Sequence, residues 1–560
     1  MRKRKRSALL AFLAVGAVII RVAGYGFSSE EKSQDRTAPS FTDFRSSVKE
    51  FRELYDLIRA TLNNNRVTFK GKTGSVSGFA AGTAYPQVWI RDSATVLPAS
   101  RFIYDAPYLE SWLLEHLACQ KADGQLEDWF DSRGQSDKNT TETDQETSAV
   151  RAAAEIAQLV GYGWLSDKVH DETILSRLER ALQYVFDKRF DKAHGLVSGA
   201  HTADWGDVDM TYADQRAIYV DKNTHWTCDI YDQAQFFGAA TALARILGES
   251  GAAGKAFVWT KRAASVRESA DRWLWQEDKG YYRVHIHLDS LRHDFDEDAM
   301  FAMGGNAEAA ISGLASPDHV RRIVQAALDR QKKFGISTIS GALLPPYPKG
   351  FFKHPMMDDP YEYQNGGQWD WFGAKLVAAM FTNGFSRIAK DKLLEIARKD
   401  IAGRGLHEWD TPAGLGRGSA FYSGSAGSLA YALFEGYFGL RMSGEGLAVT
   451  PRLGGDQASV QAVIPAAGIW VTYDYRCDTE KGTVVLRTDS SVNKTGTLGV
   501  VIPAFRGGPP TAKEIGKIVV LLDGRKTAFD VFSLNDDLVV KVVTDVRNRT
   551  LEVRYFRPIE

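Results

Sequence analysis

The stretch His201-Thr202-Ala203-Asp204-Trp205-Gly206-Asp207-Val208-Asp209-Met210 crowds three carboxylates around one tryptophan and one glycine. It lies between 169–187 and 230–247, whose apolar residues recur at helical spacing. Carboxylates spaced this way do not share one buried face, so the stretch is expected to be a loop with several side chains turned outward. A tryptophan in such a loop is expected to stack on something flat and rich in hydroxyls. The alternative is a turn whose aspartates cap the next helix.

Outward from this loop, residues 41–440 read as helix after helix. Periodic segments fall at 46–62, 105–119, 146–160, 254–273, 317–332, 366–382, 386–399 and 423–438 besides the two flanking ones. Thr143 and Glu146 have capping-box spacing. The connections 190–228, 276–300 and 340–365 are long for a helical domain, and long loops tend to carry function. Two helix ends share a tag, Phe190-Asp-Lys-Ala-His-Gly-Leu and Trp275-Gln-Glu-Asp-Lys-Gly-Tyr-Tyr, which suggests stacked helical hairpins with a common turn. After Leu440 the period changes to two, and 441–560 reads as a small antiparallel β domain.

The first residues read differently. Arg2 to Arg6 is basic and Ala8 to Ile20 apolar, the pattern of a secretory signal, with an uncleaved anchor as the alternative because Arg21 interrupts the run. Residues 1–27 are assigned to this segment and the polar 28–40 to a linker, so the protein is expected to be exported: periplasmic, extracellular or membrane-anchored. A formal net charge of -1 argues against nucleic acid as a partner. Three widely spaced cysteines exclude a disulfide framework, and no C-x-x-C or H-E-x-x-H spacing supports zinc. No metal and no cofactor is expected, and the eleven histidines show no clustering along the chain.

Four loop segments combine acids with tryptophan. They are Trp89-Ile90-Arg91-Asp92; the opening stretch; Asn365-Gly366-Gly367-Gln368-Trp369; and Glu408-Trp409-Asp410, followed by Tyr422-Ser-Gly-Ser425. Glycosidic hydrolysis requires two carboxyl groups across the scissile bond, one to protonate the leaving oxygen and one to activate water or attack the anomeric carbon. No Ser-His-Asp pattern, nucleophile elbow or phosphate loop competes.

In order and in kind these four segments resemble those of the six-hairpin (α/α)6-barrel glycosidases. That superfamily includes debranching-type and processing α-glucosidases, neutral invertases, α-L-rhamnosidases and cellobiose-type phosphorylases. The resemblance implies a mainly α fold, an (α/α)6 toroid over 41–440 with the β domain behind it, and an inverting hydrolase acting on an oligosaccharide or glycoside. It assigns the general acid to Asp207, with Asp204 second, because the matching phosphorylase loop uses the later Asp of Asp-Trp-Asn-Asp. Glu408 is then the base. Trp89, Arg91, Asp92, Trp205, Asn365, Gly366, Gly367, Trp369 and Trp409 would position the sugar. Asp207 is expected to be partly buried against Trp205 with a raised pKa, and Glu408 to stay ionised in a wetter setting.

Three alternatives follow from the same residues. A phosphorylase would need Arg404, His407 or Arg417 near Glu408; an isomerase would work through His201 and His225; a sugar-binding protein would bind without turnover.

Overall fold

The computed structural model describes residues 38–444, 446–502 and 515–555. The basic run and apolar segment at the N-terminus lie outside the described residues. Among the described residues no helix is long and apolar enough to cross a membrane.

Twelve α-helices lie among the described residues: α1 Lys49–Asn65, α2 Ile90–Ser100, α3 Ala106–Ala118, α4 Asp144–Val160, α5 Ile174–Lys188, α6 Ile230–Glu249, α7 Ala253–Trp273, α8 Met303–Ser312, α9 Pro317–Phe334, α10 Asp370–Thr382, α11 Ser386–Gly403 and α12 Ser423–Tyr431. The even-numbered helices pack on one another in sequence, and α12 packs back against α2. The odd-numbered helices lie against them from outside, as α7 does on α6 and α11 on α10. Composition explains the division. In α10, 11 of 13 residues are buried, from Trp371 and Phe372 to Phe381. In α7 only 4 of 21 are, on one narrow stripe. A helix apolar on all sides belongs inside, and a striped one belongs outside.

The repeated turn tag has a structural counterpart. Phe190–Asp191 pairs with Leu196–Val197 and Trp275–Gln276 with Tyr281–Tyr282, each a short hairpin directly after an outer helix. Gly195 and Gly280 take positive φ in these turns, where a side chain is disfavoured. A third such hairpin follows α11, where Trp409–Asp410 pairs with Gly416–Arg417. It carries the segment after Glu408.

The C-terminal region forms a seven-stranded and a five-stranded sheet. Two details depart from the sequence reading. Asp43–Ser46, from the start of the helical segment, pairs with Ala458–Ile464 as an edge strand. The region is not wholly antiparallel, since Leu447–Val449 runs parallel to Thr495–Ile502. The capping box is also absent. Thr143 makes no cap; its hydroxyl donates to Asp232, and Glu146 accepts from Leu126 N and Lys138 Nζ.

Candidate active site

The loop 201–210 is far more enclosed than its composition suggests, for only Asp207 and Met210 keep appreciable exposure. Asp204 takes φ 57° and turns its carboxylate onto the N-terminus of α8. There it accepts Gly304 N at 2.6 Å and Gly305 N at 2.9 Å. These are orphan amides of a helix start, so Asp204 is fully engaged as a cap. Burial pushes its pKa up to about 7, against the opposing pull of the two amides. Trp205 is 1% exposed and packs on Phe372 (4.1 Å) and Trp369 (5.6 Å between ring centroids). The expected outward-facing indole is therefore a core side chain. It is the backbone of Asp207 that is pinned, its carbonyl accepting Asn139 Nδ2 (3.0 Å) and Thr141 Oγ1 (3.2 Å). Among the described residues its carboxyl Oδ1 meets no protein donor.

Glu408 enters on the hairpin after α11. Its carboxylate accepts the Tyr85 hydroxyl at 3.0 Å and Ser419 N at 3.0 Å. Gly418, at φ 67°, lies directly under it; a Cβ there would fall 2.3 Å from Oε2. Glu408 is 3% exposed, so the wetter setting expected for it is not found. Burial drives its pKa up to about 7, the Ser419 and Tyr85 hydrogen bonds oppose this, and the charges of Asp92 and Asp207 add to it. Asp207 therefore stands close enough to Glu408 for its charge to reach that carboxylate. Tyr363 and Tyr85 feel both of them, through charges that raise each phenol above its ordinary value after burial has done so first.

Asp92 and Arg91, at the start of α2, divide between the two sides of this centre. Asp92 is buried, which raises its pKa, with the Arg91 charge and then the Tyr422 hydroxyl offsetting part of the effect; among the described residues its Oδ1 also lacks a protein donor. Arg91 does not hold out a free fork. Its Nη1 is committed to Glu142 (2.5 Å), Asp144 (3.2 Å) and the Trp205 carbonyl, and its guanidinium lies 5.3 Å from the Trp371 ring. It ties the Asp207 loop to the start of α4.

The remaining expected sugar contacts separate into two kinds. Asn365 is fully buried and staples its own loop, accepting Tyr347 N (2.8 Å) and donating to Met357 O (3.1 Å). Gly366 turns at φ 101°, and Gly367 sits so tightly under Tyr363 O and Trp409 that a Cβ would lie 2.6 and 2.8 Å away. Trp369 is 2% exposed and donates Nε1 to Tyr363 O (3.0 Å). Gly367 and Trp369 thus pack behind the Tyr363 backbone. Trp89 and Trp409 are half-buried, and Trp89 pairs with Trp129 at 6.2 Å. Tyr85, Glu142 and Tyr422 are the residues sequence reasoning did not place in the centre. None lies in a short motif, though Tyr422 falls in the segment singled out after Glu408.

The histidines do cluster, which corrects the reading of their spacing along the chain. His201, His285, His287 and His293 surround the Glu297 carboxylate. The acidic run 293–298 supplies two of these groups, His293 and Glu297. His225 stays apart with Asp289. Of the cations proposed for a phosphate, Arg404 and Arg417 are exposed, and Arg417 Nη1 turns back to Gly416 O.

No protein-family model and no curated protein matches the chain. Solved structures do. The α-L-rhamnosidase from Dictyoglumus thermophilum superposes with a TM-score of 0.59 at 12% identity, over 92% of this chain and 51% of that one. The GH78 family rhamnosidase of Bacillus sp. GL1 gives 0.56 at 15% identity, over 83% and 43%. This chain shares their fold. It spans about half the length of each rhamnosidase. Coverage of 92% is too wide to be confined to the helices, so the likeness takes in strands of the C-terminal sheets as well. At these identities the likeness concerns the course of the backbone, and the chemistry rests on the side chains described above.

Proposed function

We propose that the protein is an exported glycoside hydrolase built on an (α/α)6 toroid, cleaving a glycosidic bond by inversion with Asp207 as acid and Glu408 as base. The observation that carries this reading is the buried Glu408 carboxylate, held by Tyr85 and Ser419 and raised to about 7 mainly by burial, with the Asp207 carboxyl of a distant loop among the charges that act on it. A base is most effective when its pKa lies near the working pH, where it is both substantially ionised and basic. Glu408 meets that condition, its orientation set by Tyr85 and Ser419. Asp207 presents a carboxyl oxygen that has no protein partner among the described residues, the position the reading assigns to the glycosidic oxygen. In the proposed reaction the proton of Asp207 goes to the leaving oxygen as its bond to the anomeric carbon breaks. A water on the opposite face attacks that carbon and gives its proton to Glu408.

The closed ring of even-numbered helices supports the toroid. Tyr85, Tyr363 and Tyr422 supply the aromatic and hydroxyl-bearing wall assigned from sequence to indoles. Hydrolysis of this kind calls for no cofactor.

The test is a panel of aryl glycosides and oligosaccharides, α-L-rhamnosides first because the matched structures are rhamnosidases, with product stereochemistry read by NMR. Release of the inverted anomer that disappears in both Asp207→Asn and Glu408→Gln is expected. Turnover unchanged in either variant overturns the assignment. Turnover that requires added phosphate selects a phosphorylase, and binding without turnover selects a sugar-binding protein.

A further inference from the structure

The imidazoles gathered around Glu297 have no part in the proposed hydrolysis, and their geometry is specific. His201 Nε2 lies 3.3 Å from His293 Nε2 and 3.3 Å from Glu297 Oε1, and His293 Nε2 lies 3.4 Å from the same oxygen. The three ligand-type atoms thus form a nearly equilateral triangle. Bonds of about 2.0–2.1 Å to a tetrahedral zinc place its ligands about 3.3–3.4 Å apart, so the triangle has the size of one face of that tetrahedron. His287 is the fourth group: its Nε2 lies 2.9 Å from Glu297 Oε2, and the four groups each offer an atom within 4.8 Å of the others.

Hydrogen bonding alone satisfies this arrangement poorly. Glu297 Oε1 already accepts the Tyr347 hydroxyl at 2.7 Å, and His285 Nε2 stands 3.0 Å from it. Adding His201 and His293 would bring four donors to an oxygen with two lone pairs. The facing nitrogens of His201 and His293 can share only one hydrogen between them. Lone pairs converging on a cation resolve both difficulties. Tyr347 and His285 then serve as the outer partners that orient a ligating carboxylate.

We propose that His201, His287, His293 and Glu297 bind one divalent transition-metal ion of the zinc class, and that this ion fixes the loop carrying Asp207. Three imidazoles and one carboxylate select zinc or a neighbouring first-row metal over calcium or magnesium, which take oxygen ligands in greater number. Four protein ligands close the coordination sphere, the mark of a structural site and not a catalytic one. Its placement fits that role. His201 begins the Asp207 loop directly after strand Gly199–Ala200, and His287 lies on His285–His287, two strands across the same small sheet. Tyr347, bonded to Glu297, is held by Asn365 of the segment that supports Tyr363.

The test uses the full chain, stripped with a chelator, reloaded with zinc sulfate and freed of excess metal. Mass-spectrometric metal analysis is expected to find about one zinc per chain. Cobalt(II) in its place should give the intense visible absorption of a tetrahedral site. Zinc should raise the Tm of the wild type, and His287→Gln, His293→Gln and the double variant should lose both the metal and that rise. His225→Gln, outside the cluster, should keep both. Wild-type protein that retains no zinc overturns the proposal, even where a variant fails to fold. So does a folded double variant that retains as much zinc as the wild type. Because the readouts are metal content and Tm, this proposal can fail while the hydrolase assignment stands, and the reverse.

Discussion

Two glutamates of this molecule sit in closely packed surroundings and are driven in opposite directions. Glu297 is ringed by imidazoles and the Tyr347 hydroxyl, whose hydrogen bonds and charges hold its carboxyl far below the ordinary range although desolvation acts the other way. Glu408 suffers the same desolvation, but its neighbours include the carboxylates Asp92 and Asp207, and it rises to about 7. Burial sets the cost of a charge, and the company decides whether the charge is kept. Glu297 is built to remain an anion and to hold its surroundings together. Glu408 is built to exchange a proton.

The largest expected effect is kinetic. Glu408→Gln removes the exchangeable proton site with little change of shape, and kcat on the best substrate should fall by about 10²–10⁴-fold. Glu297→Gln in zinc-free protein should leave the chemistry largely intact. Equal losses in the two variants would erase the contrast between them.

Stability should separate them by sign. A carboxyl raised from its ordinary value to about 7 costs the folded state up to about 3 kcal/mol when ionised. That cost is full above about pH 7 and vanishes below the unfolded-state value near pH 4.5. Glu408→Gln should therefore raise Tm at pH 8 and leave it unchanged near pH 4.5. For Glu297 the depressed pKa means that ionisation stabilises the fold above the unfolded-state value. Replacing it removes charge-assisted hydrogen bonds worth about 1.5–3 kcal/mol, so Glu297→Gln should lower Tm at pH 8. Thermal melts of the two variants at both pH values check this, and shifts of the same sign at pH 8 would refute it.

The contrast also marks where the sequence was legible. Long helices with regular apolar spacing, such as α5 and α9, could be read directly, because burial on one face leaves a 3.6-residue trace. Helix α2 carries Pro98 and α8 opens with Gly304–Gly305, so neither has a helix-former's composition. Both owe their form to tertiary packing. Asp207 and Glu408 stood out as acids in loops beside tryptophan, yet two of the four tryptophans expected to face the sugar lie in the core. Trp205 and Trp369 are large enough to serve as core, and only the packing around them shows that they do. Tyr85 belongs to no motif, and its hydrogen bond to Glu408 spans the helical region from start to finish. The imidazole cluster left one local trace, His285-Ile-His287, whose side chains share a strand face. His201 joins it only through the pairing of three short strands.

A smaller effect is expected at Gly418. Its φ of 67° and the 2.3 Å from a built Cβ to Glu408 Oε2 make alanine unfavourable twice over. Gly418→Ala should cost about 1–2 kcal/mol from the left-handed backbone alone. It should also lower kcat by displacing the carboxylate. A variant that loses stability at pH 8 while keeping full kcat would show that Glu408 tolerates the intrusion and that its position is not critical.

The finest test concerns the hydrogen bond that keeps Glu408 from rising further. Tyr85 donates to Oε1 at 3.0 Å, with Oε2 at 3.3 Å, and so favours the ionised form. As a base, Glu408 must be ionised, so activity should climb with pH through about 7 and fall away on the acid side. Tyr85→Phe removes a donor to a charged group, worth about 1.5–3 kcal/mol in the ionised state, and the acid limb should move up by about one to two pH units. Well above that limb, Glu408 is ionised with or without the phenol, and the kcat values of variant and wild type should converge. Ser419 N remains to hold the carboxylate in place, so the variant should fold and the shift should be readable. A Tyr85→Phe enzyme whose kcat falls at every pH while its acid limb stays fixed would mean that the phenol touches substrate and does not tune the base.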